Sequence, residues 1–125
     1  MSKARILVVD DEAIVRISCE RILKPKGYEI LTADNAQAGL DMLDREKIDL
    51  VLTDLKMPGM DGLEFLKSVK SKCPQVAVVM VTGYSTIDTA VKSIKLGAYD
   101  YLNKPFTPDQ LTEVVQKALS NIQSE

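Results

Sequence analysis

Histidine is absent from this 125-residue chain, and its two cysteines, Cys19 and Cys73, stand far apart with neither metal nor redox spacing. Without imidazole or paired thiols a zinc or copper site has almost nothing to bind with. Any metal must then be held by oxygen, which points to magnesium, manganese or calcium. Histidine-based triads and general bases are excluded as well. Two scattered thiols build no disulfide framework, and a reducing cytoplasm is the plain inference. Long apolar runs are also lacking. MSKARILVVDDE meets charge too soon for a signal-peptide core, and no later stretch approaches a membrane span. Nor is there a basic excess: 16 Lys and Arg face 18 Asp and Glu, a formal net charge of −2, so bulk charge supplies no grip on a nucleic-acid backbone. What remains is 46% hydrophobic and 27% charged, the composition of an ordinary globular protein, at a length that suits one domain over 1–125.

Short apolar runs alternate with amphipathic stretches. The runs predict strands over 5–9, 28–33, 50–53, 76–82 and 99–103. ILVV and VAVVMV are nearly continuous aliphatic segments, as in strands covered on both faces. Three- and four-residue spacing predicts a helix over 107–123, with Leu111, Val114, Val115, Ala118, Leu119 and Ile122 on one face, and another over 86–96, with Ile87, Ala90, Val91 and Ile94 in register. Weaker helical patterns cover 12–24, 36–46 and 61–71. Pro25 with Gly27, Pro74 and Gly97 fall at the stops, and Thr107-Pro108 has the form of an N-cap followed by proline at the first helical position. Five βα units with short, right-handed crossovers make an α/β three-layer sandwich around a parallel five-stranded sheet.

Polar residues gather where these strands end. Asp10 and Asp11 follow ILVV, Asp54 ends DLVLTD, Thr82 ends VAVVMVT and Lys104 follows the last strand. In a parallel sheet the carboxyl ends share one edge, so these residues would meet in one crevice. A lone Asp there is most simply a cap for the next helix. Two adjacent acids with Glu12 behind them exceed what a cap requires. Asp54 by itself reads equally well as a turn aspartate, but the stiff KMPGMDG loop after it suits a reactive carboxylate held in place. Carboxylates ~5 Å apart repel by ~3 kcal/mol at an effective dielectric near 20. Such a cluster binds protons or captures a divalent cation, and a hard ion that keeps several waters, magnesium, fits it best. Lys104, constrained by Pro105 in a bond that can be cis, can aim its ammonium at a phosphoryl group in the crevice. Thr82 either simply suits a strand end or donates its hydroxyl to a phosphoryl oxygen, and spacing does not distinguish the two.

DD after the first strand, D-x-K-M-P-x-M-D-G after the third, T-G after the fourth and Y-x-x-K-P-F at the fifth form a highly specific ordered set. Together they resemble the response-regulator receiver domain of two-component phosphorelay signalling over essentially the whole chain. The resemblance implies a flavodoxin-like (βα)5 fold with strand order 2-1-3-4-5. It implies that Asp54 takes a phosphoryl group from the phosphohistidine of a sensor kinase or phosphotransfer protein, with Mg2+, or Mn2+ as a substitute, as cofactor. Asp11 and Asp54 would ligate the metal directly, Asp10 through water, and the Lys56 backbone carbonyl would complete the set. Lys104 would pair with the phosphoryl group, Thr82 would swing toward it and Tyr101 would turn inward. The change would reach a downstream output domain or effector through the 86–96 helix, the last strand and the 107–123 helix. That face also admits a phosphorylation-dependent homodimer. A receiver catalyses its own phosphorylation and slow dephosphorylation and is not a turnover enzyme.

Competing readings are a phosphorylation-independent binding module, a flavodoxin-like FMN binder and a haloacid-dehalogenase-like phosphatase. Against the second, Asp10, Asp11 and Glu12 stand where an FMN phosphate needs amides and hydroxyls. Against the third, the acids are adjacent rather than spaced D-x-D, and no room is left for a cap region. The complete acid set argues against the first. Tyr84, two residues beyond Thr82, is hypothesised to obstruct the attacking water so that the acyl phosphate persists. Tyr84→Ala is then expected to speed dephosphorylation, and an unchanged rate of phosphate loss would refute this.

Overall fold

A computed structural model describes residues 3–83 and 86–123. Five strands, β1 (Arg5–Val9), β2 (Glu29–Ala33), β3 (Leu50–Thr53), β4 (Ala77–Thr82) and β5 (Asp100–Asn103), alternate with α1 (Ala13–Leu23), α2 (Ala36–Arg45), α3 (Gly62–Lys72), α4 (Ile87–Lys95) and α5 (Pro108–Gln123). All pairings are parallel, in the order β2-β1-β3-β4-β5. Strand ends differ from the apolar runs by a residue. Val76, for example, still donates its amide to the Cys73 carbonyl at 3.0 Å, in the turn leaving α3.

Successive side chains of a strand point to opposite faces, and the two cores sort accordingly. Leu7, Val9, Val51, Val78 and Met80 pack with Phe65, Leu66 and Val69 of α3 and with Ala36 and Leu43 of α2. Ile6, Val8, Leu50, Leu52, Val79 and Val81 pack with Cys19 and Leu23 of α1 and with Leu111, Val115, Ala118 and Leu119 of α5. Both faces of the central strands are therefore dry, which explains why ILVV and VAVVMV carry no alternation. Burial pushes the Cys19 thiol up to about 12, so it serves as packing rather than as a nucleophile. The side chain of Ile122 lies outside the described residues.

Helix ends follow local chemistry. The Thr107 hydroxyl accepts the Gln110 amide at 3.1 Å while Gln110 Oε1 accepts the Thr107 amide at 2.9 Å, a reciprocal cap with Pro108 at the first position. A short 3₁₀ turn, Lys24–Lys26, finishes α1 and is closed by Gly27 at φ 97°. At α4 the helix forms as its periodicity predicts, but its apolar stripe does not face the core. Ile87, Val91 and Ile94 are exposed, Ile87 by 86%, and Ser93 is its buried side chain. The helix lies at the sheet margin, against α3 and the edge strand β5, and among the described residues this stripe stays exposed.

One glycine decides how α3 meets the sheet. The Gly62 amide donates to the Leu55 carbonyl at 2.6 Å, and a Cβ on Gly62 would collide with the Asp54 carbonyl and the Leu55 Cα. Backbone cannot retreat as a side-chain tip can. Gly62→Ala is therefore expected to cost about 3 kcal/mol in urea unfolding, as overpacking against a fixed neighbour does. A change below 0.5 kcal/mol would show that the β3–α3 loop yields instead.

Candidate functional site

Sheet register assembles the site. Val9 of β1 lies opposite Thr53 of β3, so Asp10 and Asp54 leave the sheet side by side, and the Asp54 amide donates to the Val9 carbonyl at 3.2 Å. Thr82 lies opposite Asn103, and the Lys104 amide donates to the Thr82 carbonyl at 2.9 Å. The chain then passes through a cis Lys104–Pro105 peptide. These connections carry the Lys104 ammonium across the strand ends. It donates to Asp10 Oδ2 at 2.8 Å, to Asp54 Oδ2 at 3.0 Å and, more loosely, to Glu12 Oε1 at 3.3 Å.

Each carboxylate is also held from its own loop. Asp10 Oδ1 accepts the Glu12 amide at 2.9 Å, and the Arg16 guanidinium donates to the Asp10 carbonyl at 2.7 Å. Asp54 Oδ1 accepts the Leu55 amide at 2.6 Å and stands 3.5 Å from the Lys56 amide. Asp61 caps α3 through the Glu64 amide at 2.9 Å, which pins the far end of the same loop. Asp10 is 2% exposed and Asp54 3%, and Thr82 is fully buried beside them on β4.

The charges do not balance, because two buried carboxylates share one ammonium. Burial pushes the Asp10 carboxyl up from its ordinary value, the Asp54 charge adds to the push, and Lys104 with the Glu12 amide only partly offsets it. For Lys104 burial disfavours the ammonium, but hydrogen bonds and charge from Asp10 and Asp54 outweigh that, and its pKa is raised. One ammonium gains from two carboxylates, whereas each carboxylate has only a share of one ammonium.

Asp10, Glu12 and Asp54 offer carboxylate oxygens that all lie within 4.8 Å of one another. Glu12 thus joins the set in which the sequence placed Asp11. Asp11 is exposed and lines the adjoining crevice with Asp54, Lys56, Met57 and Asp61. Glu12 is exposed and lines the same crevice as Asp11, and its longer side chain brings Oε1 to 3.3 Å from the Lys104 ammonium. A donor set made only of oxygen fits a hard divalent cation. The structure therefore brings together Asp10, Asp54 and Lys104, sets Asp11 and Lys56 at the crevice and places Thr82 one strand away. Tyr101 is half-buried on β5, its hydroxyl 3.1 Å from Thr89 Oγ1 rather than in the crevice. Tyr84 lies outside the described residues. Sequence reasoning missed Arg16 and Thr89. Both sit on helices at positions where a polar residue reads as solvated surface, and only tertiary packing reveals their partners.

A profile of the response regulator receiver domain matches residues 6–116. The chain is 38% identical to the DNA-binding transcriptional regulator NtrC of Escherichia coli (strain K12) over 125 residues, all of this chain and 27% of that protein. It is also 38% identical to sporulation initiation phosphotransferase F of Bacillus subtilis (strain 168) over 119 residues, 95% of this chain and 96% of that one. Among solved structures, a CheY-like response regulator receiver domain protein from Methanospirillum hungatei JF-1 superposes with a TM-score of 0.95 at 36% identity, covering 98% of each chain. The chain thus spans about a quarter of the NtrC relative and nearly all of the sporulation phosphotransferase.

The electrostatics predicts a pH-dependent cost of losing the ammonium. With its folded pKa above its unfolded value, Asp10 costs stability as pH rises through the folded value, and Lys104 limits that cost. Lys104→Met should destabilise the protein at pH 7 by about 3 kcal/mol, since it strands two buried carboxylates. The deficit should shrink as pH falls through the raised Asp10 value toward 3.8, because protonation removes the unpaired charge. Urea unfolding of both proteins at neutral and acid pH measures this, and a deficit independent of pH would contradict it.

Proposed function

The chain belongs to the response regulator receiver domain family of two-component signalling, and from that premise we propose that Asp54 accepts a phosphoryl group from a phosphohistidine of a partner protein in a magnesium-dependent step. The observation that carries this reading is the buried meeting of Asp10, Asp54 and Lys104 at the carboxyl edge of the sheet. We take 1–125 as a single receiver domain acting as a cytoplasmic signalling switch.

Phosphoryl transfer asks for positioning and charge neutralisation more than for basicity. The Leu55 amide fixes one Asp54 oxygen and Lys104 the other, so the carboxylate is oriented before a donor arrives. In the transfer an Asp54 oxygen forms a bond to phosphorus while the donor's nitrogen–phosphorus bond breaks, its electron pair staying on the imidazole. Lys104 is already at the site of the new charge, and Thr82 contributes its hydroxyl to a phosphoryl oxygen. Asp10, Asp11, Asp54 and the Lys56 carbonyl would hold the magnesium ion, which when bound neutralises phosphoryl oxygens. The missing histidine is no obstacle, because the donor imidazole belongs to the partner.

Beside Lys104 a groove runs between α1 and the Pro105–Phe106 turn, with Ile14 of α1 68% exposed at its lip and Ile17 exposed nearby. An apolar strip flanking the acceptor suits a helix of the phosphohistidine protein, a sensor kinase or phosphotransfer protein. On the other side, the α4–β5–α5 face with Ile87, Val91 and Ile94 is where we place contact with an output domain or effector.

Incubation with a small phosphodonor and magnesium should label Asp54 alone. Asp54→Asn and chelation of the metal should each abolish the label. Ile14→Asp should leave this reaction unchanged and slow transfer from a phosphohistidine partner by about tenfold, the effect of losing one interface anchor. Label that persists in Asp54→Asn would overturn the assignment.

A further inference from the structure

Helix α4 is held to the rest of the domain in an unusual way. Its apolar stripe points to solvent, its buried side chain is Ser93, and its N-terminus is tied by hydroxyl groups. Thr86 is the N-cap: its side chain accepts the Thr89 amide at 3.1 Å, and Thr89 Oγ1 accepts the Thr86 amide at 3.0 Å. Glutamate or glutamine usually completes such a box from the third position. Here a short threonine does so, and the same oxygen lies 3.1 Å from the Tyr101 hydroxyl on β5. Resting on the switch reading above, we propose that Thr89 is a positioning residue that ties the Tyr101 ring to the N-terminal cap of α4, so that movement of the ring loosens the first turn of that helix.

Counting protons supports the tie. Thr89 Oγ1 has four neighbours at hydrogen-bonding distance: the Thr86 amide, the Thr86 hydroxyl at 3.0 Å, the Thr86 carbonyl at 3.1 Å and the Tyr101 hydroxyl. A hydroxyl has one proton and two lone pairs. The Thr86 amide takes one pair, and in the arrangement where the Tyr101 hydroxyl donates it takes the other. The Thr89 proton then goes to Thr86. With Tyr101 in place every capacity of Thr89 is used, and the box is closed on both sides. If the ring leaves, that lone pair falls to the Thr86 hydroxyl or to water, and the box loses its tie to β5 at the point where the helix begins. The Thr89 carbonyl meanwhile accepts the buried Ser93 hydroxyl at 2.8 Å, a further polar contact within the same helix.

Tyr101 is well placed to transmit a signal. It lies opposite Met80 in the β4–β5 register, and two residues later Asn103 pairs with Thr82, next to Lys104. Rearrangement of Thr82 and Lys104 around a phosphoryl group would therefore act on the same pair of strands, two to three residues from the tyrosine. An element with little apolar packing responds to the loss of one hydrogen bond where a packed helix would not. Energetically the tie shifts a pre-existing equilibrium by the difference it makes between the two states.

A double-mutant cycle in the unphosphorylated full chain tests this through amide hydrogen exchange at Ala90 and Val91. Tyr101→Phe should raise opening of the first turn about fivefold, the ratio that one net hydrogen bond supports. Thr89→Val should raise it further, because the cap is lost as well. Adding Tyr101→Phe to Thr89→Val should then change nothing more, while Thr89→Ser should restore wild-type exchange. Equal effects of Tyr101→Phe with and without Thr89→Val would overturn the proposal, as would failure of the serine variant to restore protection. Fluorine labelling of the Tyr101 ring gives a second readout, and its resonance should move in Thr89→Val and return in Thr89→Ser. The two readings fail separately: a domain that takes no phosphoryl group on Asp54 contradicts the receiver assignment alone, and additive exchange effects contradict the tie alone.

Discussion

One ammonium placed between two buried carboxylates is the interaction on which the rest of the site depends. Lys104 meets Asp10 at 2.8 Å and Asp54 at 3.0 Å, although 94 and 50 residues separate them in the chain. No local preference produces that meeting. It follows from parallel pairing, which brings every strand's carboxyl end to one edge, and from a register that leaves Asp10 beside Asp54. The double-sided apolar core makes the register firm, because a slip by one residue would turn Leu7, Val9 and their neighbours onto the wrong face.

Charge imbalance is what makes the cluster responsive. Two carboxylates sharing one ammonium, with Glu12 close by, leave the crevice net negative and ready to accept a divalent cation. Under the proposed transfer, a phosphoryl group would add negative charge at Asp54 and redraw the contacts of Lys104. The dry sheet and the packed helices α1, α2, α3 and α5 have no slack to absorb such a change. Helix α4, with its exposed stripe and its cap of hydroxyl groups, has the slack. Strong packing under the crevice thus contrasts with weaker apolar cover at the sheet margin.

Much of this was legible in the linear order. Continuous aliphatic runs marked strands buried on both faces, the spacing in 107–123 marked α5, and Thr107-Pro108 marked its start. The chemistry-bearing residues announced themselves by sitting at strand ends next to Pro and Gly. Other features could not be read. The periodicity of α4 was correct for a helix, but periodicity records a stripe and not what lies opposite it, and among the described residues Ile87, Val91 and Ile94 stay exposed. Glu12 stood in plain view behind two aspartates, yet whether it or Asp11 turned toward Lys104 depended on loop geometry across three strand ends. Thr89 looked like a solvated helical threonine until β5 placed Tyr101 against it.

By itself the sequence determined the kind of fold and the kind of chemistry. Hydrophobic period and strand-terminal acids are local properties, and the lack of histidine and of paired cysteines restricts metal binding whatever the fold. Tertiary structure alone decided which acids share the lysine, which helix face stays uncovered and which hydroxyl meets the Tyr101 ring. Those outcomes depend on distances between segments remote in the chain, and such distances exist only once the sheet has closed and its edges are set.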